Sequence, residues 1–113
     1  MEYQRSDRVA DLLMEVIAEL FRREIHDPRL RWVNLTAIKV SKDLRHAKVY
    51  FTVLGDSVVK NEVIAGLKSA SGFIRSKAGT KLNLRFVPAI DFIYDDRADE
   101  ARRIDALLRK VKE

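Results

Sequence analysis

Apolar side chains recur at three- and four-residue steps at Val9, Leu12, Leu13, Val16, Ile17, Leu20, Phe21 and Ile25, the stripe of a helix lying on a core. Ser6 is a suitable N-cap, and Pro28 requires the helix to end at or before Asp27. After a short basic connection the period changes. Thr36, Ile38 and Val40 alternate with Ala37 and Lys39, then Ala47, Val49, Phe51 and Val53 alternate with Lys48, Tyr50 and Thr52. Two period-2 runs separated by Ser41 to His46 predict a β-hairpin. Asp56 or Ser57 caps a second helix with Val59, Val63, Leu67, Ala70 and Ile74 on its apolar face and Gly79 as a C-terminal stop. Ile90, Phe92 and Tyr94 carry a third strand, with Pro88 marking its start or a bulge. The predicted order is α-β-β-α-β, an α+β domain in which two helices cover one face of a small sheet.

The tail has another character. Asp95-Asp96-Arg97-Ala98-Asp99-Glu100 is an acidic, turn-like run, followed by a short stripe of Ile104, Leu107, Leu108 and Val111 between Arg102 and Lys112. Isolated helices of that length are marginal in water. The division expected is a domain over residues 1–96 and a loosely docked tail with a short amphipathic helix over residues 97–113.

Composition narrows the class. With 113 residues, 47% hydrophobic and only four Gly and two Pro, the chain suits one compact domain. It has no cysteine, which excludes disulfides, thiolate metal sites and a Cys nucleophile and suits a reducing compartment. The first residues lack an apolar signal region, and no apolar run approaches the ~20 residues that span a bilayer. The expectation is a cytoplasmic protein without a membrane partner.

Charge then singles out one element. The stretch Ser57 to Arg85 holds Lys60, Lys68, Arg75, Lys77, Lys81 and Arg85 against Glu62, so its +5 equals the net charge of the whole chain. Focused positive charge attracts phosphate backbones at long range. A solvated basic helix face would have the same composition. The stretch is interrupted near its middle by Ser69-Ala70-Ser71-Gly72, and each interior glycine costs a helix about 0.5 to 1 kcal/mol relative to Ala, so Gly66 and Gly72 call for a reason. At Gly66 the expected reason is close packing. At Gly72 a sharp bend and close packing are both open.

Four segments in order carry a resemblance: the first helix running into Asp27-Pro28-Arg29-Leu30, the run Val40 to Tyr50, the segment Leu67-Lys68-Ser69-Ala70-Ser71-Gly72-Phe73-Ile74-Arg75, and Leu82 to Pro88 with Phe92-Ile93-Tyr94-Asp95. Over Arg5 to Val111 the chain resembles bacterial ribosome-binding factor A. The resemblance implies a single type II KH-like domain, α-β-β-α(kinked)-β, with two helices on a three-stranded mixed sheet. It implies binding to the small (30S) ribosomal subunit and its 16S rRNA in late maturation, and a role in processing the 5′ end of the precursor. Ordinary KH domains clamp single-stranded backbone with a Gly-x-x-Gly loop. The family instead has a kinked helix with Ala-x-Gly, which Ala70-Ser71-Gly72 matches. RNA affinity is therefore expected in Arg75, Lys77, Lys81 and Arg85, with Lys68 beside them, the kink setting their direction. Lys42, Arg45 and Lys48, with Lys39 and His46, form a second basic patch at the hairpin that belongs either to the same footprint or to plain surface.

No catalytic residue, metal or cofactor is expected. His26 and His46 lack metal-ligand spacing with another His or a Cys, and the carboxylates Asp95, Asp96, Asp99 and Glu100 read as solvated, without a phosphate cradle or a Ser-His pairing. Trp32 and Tyr50 are candidates to stack on bases, although packing of Trp32 over the end of the first helix is the preferred reading. The chain is read as a monomeric, non-enzymatic assembly factor. The alternative is a protein-interaction module whose basic helix docks an acidic partner.

Overall fold

The computed structural model of the chain describes residues 2–54 and 60–112; the expected caps Asp56 and Ser57, with Val59, lie outside them. The elements run α1 (Arg5–Arg23), a 3-10 turn (Pro28–Leu30), β1 (Val33–Val40), β2 (His46–Val53), α2 (Lys60–Leu82), β3 (Ala89–Tyr94) and α3 (Arg97–Lys112). One sheet holds the strands in the order β1-β2-β3, with β1 and β2 antiparallel and β2 and β3 parallel. The fold is α+β with a mixed sheet, as expected, and has a third helix.

The apolar stripes meet where their periods require. Leu13, Ile17 and Leu20 of α1, Val49 of β2 and Ile74 and Ala78 of α2 are wholly removed from water in one cluster. Phe51, Val63 and Leu67 join Leu30 in a second. Each large side chain so buried contributes about 1.5 to 3 kcal/mol. Leu12, counted with the stripe, is exposed. Leu30 reaches the second cluster because Asp27 accepts the Arg29 amide at 2.9 Å and grips the Arg29 guanidinium with both carboxylate oxygens, closing the 3-10 turn. A Cβ on Gly66 would stand 3.0 Å from Leu30 Cδ2, so close packing explains Gly66, against this turn rather than the sheet.

Several local expectations are corrected. The N-cap of α1 is Gln4, whose backbone N–H donates to Asp7 Oδ2 at 2.8 Å, and Ser6 is buried in the first turn. The strand β1 begins at Val33 and is irregular between Leu35 and Ala37; the extra residue resets the alternation, so Leu35 faces the core and Thr36 does not. Gly79 does not stop α2. The helix ends at Leu82, and Asn83 takes the left-handed conformation with φ 52° while Asn83 and Leu84 donate to the carbonyls of Thr80 and Gly79. Gly79 is needed for space, because a Cβ there would stand 2.5 Å from Val87 Cγ2.

The expected interruption at Ser69 to Gly72 is absent, and α2 runs unbroken through it. Ser69 and Ser71 hydroxyls donate back to the carbonyls of Ala65 and Lys68, a pattern that bends helices without breaking them. Gly72 has nothing within 4 Å of where a Cβ would sit, so no close approach requires it.

Asp95 is likewise not a solvated carboxylate. It is 6% exposed at the end of β3, where it accepts the Thr36 hydroxyl at 2.7 Å, the Arg97 amide at 3.1 Å and the Arg97 guanidinium at 2.6 and 2.9 Å. The bulge of β1, the end of β3 and the start of α3 are thereby joined at one carboxylate. Tyr94 adds a hydroxyl bond to Asp99 at 2.6 Å. Beyond this first turn the described residues of α3, Ile104, Leu107, Leu108 and Val111 included, are exposed.

The two glycines differ in what a methyl group would meet, so their substitution should act in opposite directions. Gly72→Ala, in open space, raises the unfolding free energy by about 0.4 to 1 kcal/mol, whereas Gly79→Ala lowers it by about 1 to 3 kcal/mol through overpacking; urea denaturation of both variants measures the opposed signs. The Arg97 guanidinium and then the Thr36 hydroxyl hold the Asp95 carboxyl well below the usual carboxylate range. A depressed folded-state pKa gives stability that is present above the unfolded value near ~4 and is lost as pH falls through that value toward the folded one. Thermal midpoints of Asp95→Asn should therefore lie below those of the parent at pH 7, with the gap closing as pH falls below ~4.

Candidate nucleic-acid interface

Four arginines from four segments meet at one end of the sheet. Arg5 opens α1, Arg45 lies in the β1–β2 turn, Arg75 is on α2, and Arg85 is in the linker from α2 to β3. Together with Asp43, Leu44 and Phe86 they line an open groove of about 750 Å³. None of the four makes an ion pair with a described residue. By contrast Arg22, Arg23, Arg29, Arg97, Arg102 and Arg103 each face a carboxylate. Asp43, the one carboxylate among the described lining residues, accepts the Ser41 hydroxyl at 2.6 Å and the Arg45 amide at 3.1 Å, and its single negative charge offsets only part of the charge of the four arginines. Those bonds, the Ser41 hydroxyl first, hold its carboxyl below the usual range.

The groove walls are tied to one another. The Ala89 amide donates to the Arg45 carbonyl at 2.8 Å, fastening the hairpin turn to the start of β3. Arg75 Nη2 donates to the Val87 carbonyl at 3.0 Å, fastening α2 to the linker. A guanidinium has five N–H donors, so this bond positions Arg75 without using up its charge or its remaining donors. Within the turn, Leu44 adopts φ 63°, a left-handed conformation that disfavours branched side chains, while its side chain packs on the main core. Such strain is found where a neighbouring side chain must be aimed, here Arg45. Phe86 is 79% exposed, with the Arg85 guanidinium 5.6 Å from its ring centre.

The other expected basic residues lie elsewhere. Successive helical residues are turned by ~100°, so Arg75 and Lys77 point ~160° apart around α2. Lys68 shares the Arg75 flank and borders a small cleft with Ile90 and Phe92. Lys77, on the far flank with Lys81, has its ammonium 5.7 Å from the Phe73 ring centre. Of the hairpin patch, Arg45 enters the groove and Lys42 is exposed in the same turn. Lys48 lies on the outer sheet face, paired in register with Lys39 and Asp91. Among the described residues no group of His, Cys, Asp and Glu is placed to hold a metal ion.

Residues 5–108 match the family model described as Ribosome-binding factor A. The chain belongs to this family. Ribosome-binding factor A of Halothermothrix orenii is 42% identical over 113 residues, all of this chain and 93% of that one. The crystal structure of ribosome-binding factor A from Thermus thermophilus matches 81% of this chain and 97% of that one, with a TM-score of 0.70 and 21% identity. A homology model of the Thermus thermophilus factor, fitted into the cryo-EM map of a 30S complex with that factor, matches 77% of this chain and 94% of that one, with a TM-score of 0.59 and 20% identity. At these identities both structures show the fold alone.

For this family member, residue type and spacing point to Arg75, Arg85 and Arg45 but miss Arg5 and Phe86. In the sequence Arg5 reads only as part of the chain start. Phe86 sits between Arg85 and Val87 in a segment with no period, so nothing local says which way it faces; an aromatic beside an arginine in a linker is the available signal. Trp32, expected over the end of α1, is instead 49% exposed with the Arg31 guanidinium 5.2 Å from its ring centre. Tyr50 is half-buried on the outer sheet face under Lys39.

Removing the Arg75 guanidinium should free the linker. Arg75→Ala is expected to speed amide hydrogen exchange over Leu84 to Ala89 while costing about 0.5 to 1.5 kcal/mol of global stability.

Proposed function

We propose that this protein is a non-enzymatic assembly factor that binds the free small (30S) ribosomal subunit and its 16S rRNA during late maturation, and supports processing of the 5′ end of the precursor. Family membership supports the ribosome-binding part of the reading. The four arginines around one groove, which make no ion pair with a described residue, carry the RNA part, because charge uncommitted within the fold is what a phosphate backbone can neutralise. The 30S complex named for the Thermus thermophilus factor supports the choice of subunit. In this reading residues 1–96 form a KH-like RNA-binding unit, residues 97–113 a helical tail, and the protein acts in the cytoplasm as a monomer. In this reading the stretch Ala70, Ser71 and Gly72, within the unbroken α2, is bent by the back-bonds of Ser69 and Ser71, which sets the direction of Arg75. Lys42 and Lys68 flank the groove, and Lys48, Lys77 and Lys81 add to the general field.

The test is sedimentation with free 30S subunits over a range of salt. Neutralising four phosphates predicts a slope of log affinity against log salt of about −3 to −4, roughly a hundredfold between 50 and 200 mM. Arg45→Glu with Arg85→Glu should flatten that slope by at least ~1.5 and release the protein from subunits, with little change in thermal midpoint. Lys77→Glu with Lys81→Glu, on the opposite flank, should do less. Retained subunit binding after the groove is reversed would favour the alternative, in which the basic helix docks an acidic partner.

A further inference from the structure

We propose that the arginine groove is a receptor for an unpaired nucleotide, whose base stacks on Phe86 while its phosphates lie among Arg5, Arg45, Arg75 and Arg85. This deepens the proposed function and rests on it. Phe86 is the observation that phosphate binding leaves unexplained. Its ring is 79% exposed, yet the linker bearing it is anchored on both sides, before the ring by the Leu84 amide donating to the Gly79 carbonyl at 3.1 Å, and after it through Val87 to Arg75 and Ala89 to the hairpin turn. An exposed aromatic held on an anchored segment loses little freedom on stacking, and its face accepts any base. Arg85 beside the ring offers a second planar surface and a cation.

The shape excludes a duplex. In A-form RNA the bases are stacked inside and the phosphates lie on a convex exterior, so a ring inside a groove walled by four segments meets no base face there. A splayed nucleotide from a loop, bulge or end presents both. A volume of about 750 Å³ lies within the range of sites that bury small ligands, and the lining combines apolar Leu44, Leu84 and Phe86 with arginine donors. Three of the arginines come from the turn, the helix and the linker that the two anchoring bonds join, so the donors are in place before the nucleotide arrives.

Binding of fluorescently labelled single-stranded RNA heptamers, the same sequence as duplex, and a nucleoside monophosphate tests the assignment. The single strand is expected to bind, and Phe86→Ala to weaken it about 5- to 150-fold, the effect of one stacked base, with the salt slope unchanged because no charge is removed. Trp32→Phe with Phe86→Trp leaves one tryptophan in the groove, whose fluorescence should be quenched by the single strand while affinity is kept. Because Phe86 is exposed, neither substitution threatens the fold. Unchanged affinity for Phe86→Ala, or equal binding of the duplex, overturns the proposal. Equal binding of the monophosphate assigns the groove to free nucleotides and overturns it too. If Phe86→Ala has no effect while Arg45→Glu with Arg85→Glu still releases 30S subunits, the stacking receptor fails and the ribosomal reading stands. If the arginine reversal leaves subunit binding intact, the groove is not the subunit contact, and the receptor proposal is overturned with it.

Discussion

Parallel pairing of β2 with β3 is the constraint on which the rest of this structure depends. A parallel neighbour cannot be reached by a tight turn, so the chain must leave the end of β2 and travel back along the sheet before β3 can begin. The helix α2 makes that return. Its C-terminus and the linker after it arrive where β2 starts, with His46 opposite Ala89 in register. The β1–β2 turn is already at that end, and the groove places Arg5 of α1 there as well. Four segments far apart in sequence thus converge because of one choice of strand direction.

The same return leaves the other end of the sheet with different work. There Asp95 holds the bulge of β1, the end of β3 and the start of α3 with a carboxylate that is fully occupied. At the groove end the four arginines make no ion pair with a described residue. Asp43 lies at that end too, held in place by a hydroxyl and a backbone amide, and its one negative charge leaves the four arginines in excess. The local fold uses the negative charge for geometry and leaves the positive charge for a ligand, an arrangement that net charge alone does not express.

Close packing and strain supply the precision. Gly66 lets Leu30 seat against α2, and Gly79 lets Val87 seat against its last turns, so both ends of the helix are located by a missing Cβ. Leu44 does the opposite, holding an unfavourable backbone angle with a side chain that packs on the core. The linker and the turn that carry Phe86 and Arg45 are therefore placed by the core rather than left as free loops.

Much of this fold is decided by periodicity alone, because burial of one helical stripe or one strand face is a local property of spacing. The stripe of α1, the hairpin, the inward face of α2 at Val63, Leu67 and Ile74, and the strand at Ile90 to Tyr94 are all legible that way, and the ordered segments from Asp27 to Asp95 carry the family resemblance. The bulge at Thr36 is not legible, since one extra residue flips the alternation only where a partner strand sets the register. Gly79 reads as a stop because its real reason, Val87, is eight residues away in sequence and in contact only once the linker folds back. The concentration of positive charge along residues 57–85 is visible, but its division between two flanks of α2, and the selection of Arg75 and Arg85 to join Arg5 and Arg45, require the helix phase and the parallel crossover. Which arginines remain unpaired, and that Phe86 stands among them in water, depends on distances between segments that composition and spacing do not contain.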